Sequence, residues 1–113
     1  MEDYECPGDR TYILQESMVS GLVLHDMKLS EAETRGMVTA MRDRVESVSL
    51  YDVTLDNLDI EELTKYDGQG RCNELGVFKD TRRRYRDRLR GWAADKGWTL
   101  TEDNDVRGLV MKR

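Results

Sequence analysis

The sequence predicts a mainly helical α+β domain with about four helices followed by a C-terminal β-hairpin, an arrangement similar to that of winged-helix proteins. Three observations predict this fold class. Apolar residues recur at helical spacing in several segments, start and stop signals bound two of these segments, and two short apolar runs flank a polar turn near the C-terminus. With 113 residues, the chain is expected to form one compact domain, residues 11–113, after a flexible tail, residues 1–10.

The first two predicted helices cover residues 14–27 and 31–48. Apolar residues at helical spacing indicate the first: Leu14, Met18, Leu22 and Val23. The second opens with a capping box, in which the Ser30 hydroxyl accepts from the Glu33 amide and the Glu33 side chain reaches back to the Ser30 amide. Its apolar stripe consists of Met37, Met41, Val45 and Val48.

A third helix is predicted over residues 57–66, with Asp56 as its N-cap. Acidic side chains fill its first half, where the helix dipole favours negative charge. The preceding segment, residues 50–55, fits either a short strand or a turn. Residues 67–76 contain three glycines and are predicted to form a loop.

The fourth predicted helix spans residues 81–96, with Asp80 as its cap and Gly97 as its C-terminal stop. Its predicted inward stripe consists of Tyr85, Leu89, Trp92 and Ala93. Residues 98–101 and 106–111 then form the two strands of the hairpin around a polar turn. Trp92 and Trp98 are expected to lie in the core.

Charge divides the chain into two unequal parts. Residues 1–70 carry 16 acidic and 6 basic side chains, whereas residues 71–113 carry 7 acidic and 12 basic ones. The net charge of −5 therefore hides a basic C-terminal third. Such asymmetry indicates an electrostatic role for one part of the chain.

The arginine-rich fourth helix predicts contact with nucleic acid. Guanidinium groups stay charged and bind phosphate through two parallel donors. Arginines one turn apart on the outward face would follow successive phosphates, with the hairpin adding further contacts. The predicted nucleic-acid-binding residues are Arg82, Arg83, Arg86, Arg90, Arg107 and Lys112. The predicted function is a small DNA-binding regulatory or accessory protein, acting on duplex DNA as a homodimer.

The alternative is a protein-interaction module, an inhibitor or adaptor that works through its acidic surface, with residues 52–67 imitating nucleic-acid charge. The arginines would then keep the helix solvated or pair with acidic groups of the same chain or of a second copy. An enzyme is the least favoured class, because no catalytic motif is present.

No cofactor or metal is predicted. His25, Cys6 and Cys72 lack the close ligand spacing of a zinc site. Two distant cysteines do not form a disulfide framework, and no apolar run is long enough for a membrane span. We therefore expect a cytoplasmic protein with no membrane partner.

Overall fold

The protein folds around a five-stranded mixed sheet. The computed structural model describes residues 21–55 and 57–113. The elements in these ranges are, in chain order, β1 (Gly21–Lys28), α1 (Glu31–Asp43), β2 (Ser47–Thr54), α2 (Asn57–Thr64), β3 (Glu74–Phe78), α3 (Asp80–Lys96), β4 (Thr99–Asp103) and β5 (Gly108–Lys112).

The strands lie side by side in the order β1-β2-β3-β5-β4. The first three are parallel, and β5 runs antiparallel to both β3 and β4. Parallel crossovers are right-handed, so α1 and α2, which step along the sheet in the same direction, lie on the same face. Helix α3 contacts α2 and spans β2, β3, β4 and β5. The described part of the chain is therefore a two-layer sandwich of helices on a sheet.

The predicted fold class is wrong: the structure is not a mainly helical domain of four helices and a hairpin. Residues 21–28 form strand β1 instead of the second half of a helix, and residues 74–78 form strand β3, which begins within the predicted loop 67–76. The C-terminal hairpin does form, but β5 inserts between β3 and β4 in the main sheet. It is thus a structural part of the core sheet and not a projecting wing.

Some of the predicted helix starts and stops agree with the structure, although the predicted fold class does not. Both hydrogen bonds of the capping box are present, with Glu33 N donating to Ser30 Oγ over 3.1 Å and Ser30 N donating to Glu33 Oε1 over 3.0 Å. Helix α1 ends at Asp43, however, and Val48 lies in β2. Gly97 ends α3 in the left-handed conformation, at φ 74°, as predicted. The predicted tail 1–10, residues 14–20 of the first helix and the Asp56 cap lie outside the described residues.

One hydrophobic cluster joins the helices to the sheet. The predicted inward stripe of α3 is confirmed, because its four residues are all buried, and both tryptophans lie in the core. Trp92 packs against Trp98 edge to face, with ring centres 4.9 Å apart, and donates its Nε1 hydrogen to the Tyr66 carbonyl. None of the helices described is long and apolar enough to cross a membrane.

Two hydroxyl groups of α3 take the place of a missing strand. Strand β2 continues past the point where β3 ends, which leaves its backbone groups without a strand partner on that side. The buried Thr81 hydroxyl accepts from Val53 N over 2.6 Å and donates to Val53 O over 3.1 Å. One helical turn later, the Tyr85 hydroxyl bonds both the amide and the carbonyl of Leu55. These bonds fix the start of α3 against the end of β2.

Replacing Thr81 by valine should lower the free energy of unfolding by about 2 kcal/mol, because two buried backbone groups of Val53 lose their partner. Urea unfolding monitored by tryptophan fluorescence would measure it. Thr39→Val is the matched control, since the Thr39 hydroxyl only bonds the Arg35 carbonyl of its own helix. Equal stability losses in the two variants would contradict the role assigned to Thr81.

Candidate functional site: a cationic cleft at the start of helix α3

A single residue, Lys79, connects strand β3 to helix α3. Its backbone has φ 59° and ψ −127°, a conformation that L-residues rarely adopt. Neighbouring segments hold this sharp turn on both sides. Lys79 N donates to the Arg107 carbonyl over 2.9 Å, and Asp80 N donates to Asp52 Oδ1 over 3.0 Å. The prediction that Asp80 caps the helix from outside is wrong, because Asp80 is the first helical residue and Lys79 occupies the cap position without a side-chain cap bond.

Four residues with positive φ lie at the same end of the sheet. They are Asp26, Asp52, Lys79 and Arg107, with φ between 51° and 59°. The first three directly follow the paired row His25, Tyr51 and Phe78, and the fourth directly precedes Gly108, which pairs with Phe78. Backbone strain in non-glycine residues costs about 1–3 kcal/mol per residue and concentrates at functional sites. The strained residues therefore mark this end of the sheet as a candidate functional site.

A cleft of about 720 Å³ opens at this end. It lies between the start of α3, the end of β2 and the turn of the β4–β5 hairpin, at the carboxyl ends of parallel strands, where α/β proteins commonly bind ligands. Its cationic lining consists of Lys79, Arg82, Arg83, Arg86 and Arg107. Three carboxylates, those of Asp52, Asp80 and Glu102, also line it, so the cleft carries an excess of two positive charges.

Two of the arginines fasten the hairpin to the helix. Arg86 binds Glu102 through two hydrogen bonds, of 2.7 and 2.9 Å. Arg82, one turn earlier, donates to Asn104 Oδ1 over 3.0 Å and lies 3.5 Å from Glu102. Hydrogen bonding from Arg86, together with the nearby positive charges, lowers the pKa of Glu102 below its usual value. Both arginines thus form a fixed wall of the cleft.

Two further arginines share one carboxylate at the helix start. Arg83 and Arg84 contact the two oxygens of Asp80, at 2.6 and 2.7 Å. The hydrogen bonds from Arg84 and Arg83 lower the pKa of Asp80. The Arg83 side chain remains 71% exposed, so it can turn toward a ligand at small cost.

Lys79 and Arg107 differ from these arginines. Among the described residues, neither side chain has an ion-pair or hydrogen-bond partner, and both are exposed at the cleft. Their backbones, in contrast, are hydrogen-bonded to each other and held in strained conformations. The structure therefore places two uncommitted cations on fixed backbone at the mouth of the cleft.

The cleft brings together four of the predicted site residues: Arg82, Arg83, Arg86 and Arg107. Arg90 is exposed farther along α3 and does not line the cleft. Lys112 lies at the opposite end of β5, 3.7 Å from Glu74. Sequence reasoning missed Lys79. The sequence did contain a signal for it, because Lys79 stands between a short apolar run and the start of a predicted helix.

The acidic segment of the alternative function, residues 52–67, has fewer unpaired carboxylates for a basic partner than its composition suggests. Glu62 lies 3.0 Å from Lys65 and 3.9 Å from Arg35, and Glu61 lies 4.0 Å from Arg88 of α3. These carboxylates are thus partly neutralised by the protein's own cations. The side chains of residues 56–59 lie outside the described part of the structure.

The residues weighed as metal ligands lie in different environments. Cys72 is buried, and burial raises the pKa of its thiol to about 11. His25 lies exposed on β1, stacked on Tyr51. Cys6 is outside the described residues. In residues 21–55 and 57–113, no group of three or more histidine, cysteine, aspartate or glutamate side chains is arranged to hold a metal ion.

Comparisons of the chain with protein-family models, with curated proteins and with solved structures found no significant match.

Acid should weaken the fold through Glu102. A carboxyl group whose pKa is lowered by folding binds fewer protons in the native state than in the unfolded chain. Its stabilising contribution is therefore complete above its ordinary pKa of 4.5 and is lost as the pH falls below that value. Glu102→Gln should flatten the fall of the melting temperature below pH 4.5, as measured by thermal unfolding across pH.

Glu46→Gln is the control for this experiment, because Glu46 forms one exposed ion pair with Arg71 away from the cleft. Its pH dependence should follow that of the wild-type protein. If the melting temperature of Glu102→Gln fell with acid as steeply as that of the wild-type protein, the stabilising role of the Arg86–Glu102 contact between α3 and β4 would be contradicted.

Lys79→Gly should stabilise the protein by about 1 kcal/mol, because glycine adopts the conformation of residue 79 without the strain of a side chain. Chemical denaturation would measure the gain. Lys65→Gly is a control of opposite sign, since the Lys65 side chain is exposed next to the C-terminal end of α2 and its backbone φ is negative. A loss of stability in Lys79→Gly would show that residue 79 is not strained.

Proposed function

We propose that this protein binds nucleic acid through the cleft at the start of α3, with Lys79 and Arg107 contacting phosphate groups. One observation carries the proposal: two cations without partners among the described residues stand on fixed backbone at a cleft with a net positive lining. Arginine and lysine at a preformed site are the usual ligands of the phosphate backbone.

The surroundings of the two cations support a phosphate ligand. The cleft lies at the N-terminal end of α3, where the helix dipole favours an anion. Arg83, which is ion-paired with Asp80 but 71% exposed, adds a third cation at the same edge. A cleft of about 720 Å³ is within the range of ordinary ligand sites.

The overall charge distribution supports a localised contact. The whole chain has a net charge of −5, so the surface outside the cleft repels a polyanion on average. Binding would then depend on a few phosphates and fall moderately with salt. A regulatory or accessory role in the cytoplasm, and action as a dimer, are further parts of this proposal.

The observed fold differs from the predicted one, and this difference alters the expected mode of binding. Contact with duplex DNA was predicted from the outward arginines of the fourth helix and a hairpin beside them, and the hairpin is part of the central sheet. Arg82 and Arg86 of the helix are occupied by Glu102 and Asn104. The proposal therefore depends on the cleft and not on insertion of α3 into a DNA groove.

Replacing Lys79 by glutamine should weaken nucleic-acid binding about fivefold and lower the slope of log affinity against log salt by about one, because one phosphate contact is lost. Fluorescence anisotropy with labelled DNA at several salt concentrations would measure both. Glutamine removes the charge and leaves residue 79 with an unbranched polar side chain and the same backbone strain, so the fold is conserved.

Lys112→Gln is the matched control, since it removes the same charge at the opposite end of β5. It should leave affinity nearly unchanged. Equal losses in the two variants would indicate a general charge effect and contradict the cleft. Absent binding to both single-stranded and duplex DNA, or binding independent of salt, would refute the proposed function and favour a protein partner.

A further inference from the structure

Three aromatic rings stack across the strands at the level of the cleft. His25, Tyr51 and Phe78 occupy paired positions on β1, β2 and β3. The ring centres of His25 and Tyr51 are 4.8 Å apart and those of Tyr51 and Phe78 are 4.4 Å apart, with nearly parallel planes. The buried residues of these strands alternate with this row, which therefore lies on the sheet face opposite the helices.

Phe78 leans over two glycines. A Cβ atom added to Gly76 would lie 2.7 Å from the Phe78 ring, and one added to Gly108 would lie 2.6 Å from it. Both distances are shorter than carbon atoms tolerate, so glycine at these positions lets the ring lie close to the sheet. The ring is thus held at the end of its strand, beside Lys79.

A second cavity, of about 520 Å³, lies against these rings. Tyr51, Phe78 and Val106 give it an apolar wall, and Lys79, Asp105 and Arg107 give it a polar rim. Val106 is the one exposed large hydrophobic side chain of the described residues, at 58%. Lys79 and Arg107 line both cavities, so the aromatic cavity and the cationic cleft adjoin each other.

We infer that the ligand is single-stranded nucleic acid, with a phosphate in the cationic cleft and the neighbouring base in the cavity formed by Tyr51, Phe78 and Val106. This inference rests on the proposed function and specifies its ligand. Aromatic rings beside a cationic groove are the usual means of binding unpaired bases, because every base offers a flat face for stacking. The Asp105 carboxylate at the rim can accept a hydrogen bond from an N–H group of the base, such as N3–H of thymine.

A duplex cannot use the second cavity without opening. Its bases are paired and stacked inside the helix, and taking one out costs a few kcal/mol. A single strand presents its bases freely, so both cavities fill together. The order of affinity should therefore be a single strand first, with duplex and base-free backbone both weaker.

The test compares three ligands with the unaltered protein by fluorescence anisotropy: an oligothymidylate of about 16 nucleotides, a duplex of the same length, and a strand of the same length with an intact sugar–phosphate backbone but no bases. Oligothymidylate should bind about tenfold more tightly than either of the others. Val106→Ser, a change at an exposed position, should reduce that preference by lowering the affinity for oligothymidylate.

Equal affinity for oligothymidylate and the base-free strand would overturn the base-binding cavity and leave the proposed phosphate contact standing. Tightest binding to duplex would overturn it as well. Binding of none of the three would overturn both this inference and the proposed function. An oligouridylate arm identifies whether the strand is RNA or DNA, and a preference for either one agrees with the inference.

Discussion

The arrangement of the site depends on how strand β2 is completed after β3 turns away. The hydroxyls of Thr81 and Tyr85, one turn apart on α3, bond the backbone of Val53 at the end of β2 and of Leu55 just after it. One turn of the helix spans about the same distance as two residues of the strand, so both hydroxyls reach the backbone. Helix α3 begins after a single connecting residue, Lys79. That short connection places Lys79 at the top of the sheet and brings the start of α3 beside the hairpin turn.

Three local signals in the sequence predicted local structure correctly. The capping box of α1, the stop at Gly97 and the buried stripe of α3 depend on residues within a few positions of each other. Strands β1 and β3 were missed because their identity depends on distant pairing. The apolar residues Leu22 and Val23 fit a helix and a strand equally in so short a run. β3 is five residues long and contains Gly76, and its strand form follows from pairing with β2 and β5 on its two sides.

The site was partly predictable for the same reason. Composition identified the basic helix, and three of its predicted contact residues, together with Arg107 of the hairpin, do line the cleft. Sequence could not show which cations are already occupied, because Glu102 and Asn104 reach Arg82 and Arg86 from an element 16 to 22 residues away. Nor could it show that Lys79 and Arg107, 28 positions apart, share a backbone hydrogen bond. Pairing within the chain separates the arginines that build the protein from the cations that remain available.

The contact of Phe78 with Gly76 and Gly108 also limits how this sequence can evolve. The three positions share one volume, since the ring fills the space that two side chains would need. Alanine at either glycine would push the ring away from the sheet, and a smaller residue at 78 would make alanine acceptable at both. In a diverging lineage these positions should change together, although the second glycine lies 30 positions after the phenylalanine. Their joint variation would record, in sequence alone, whether the row of rings is retained.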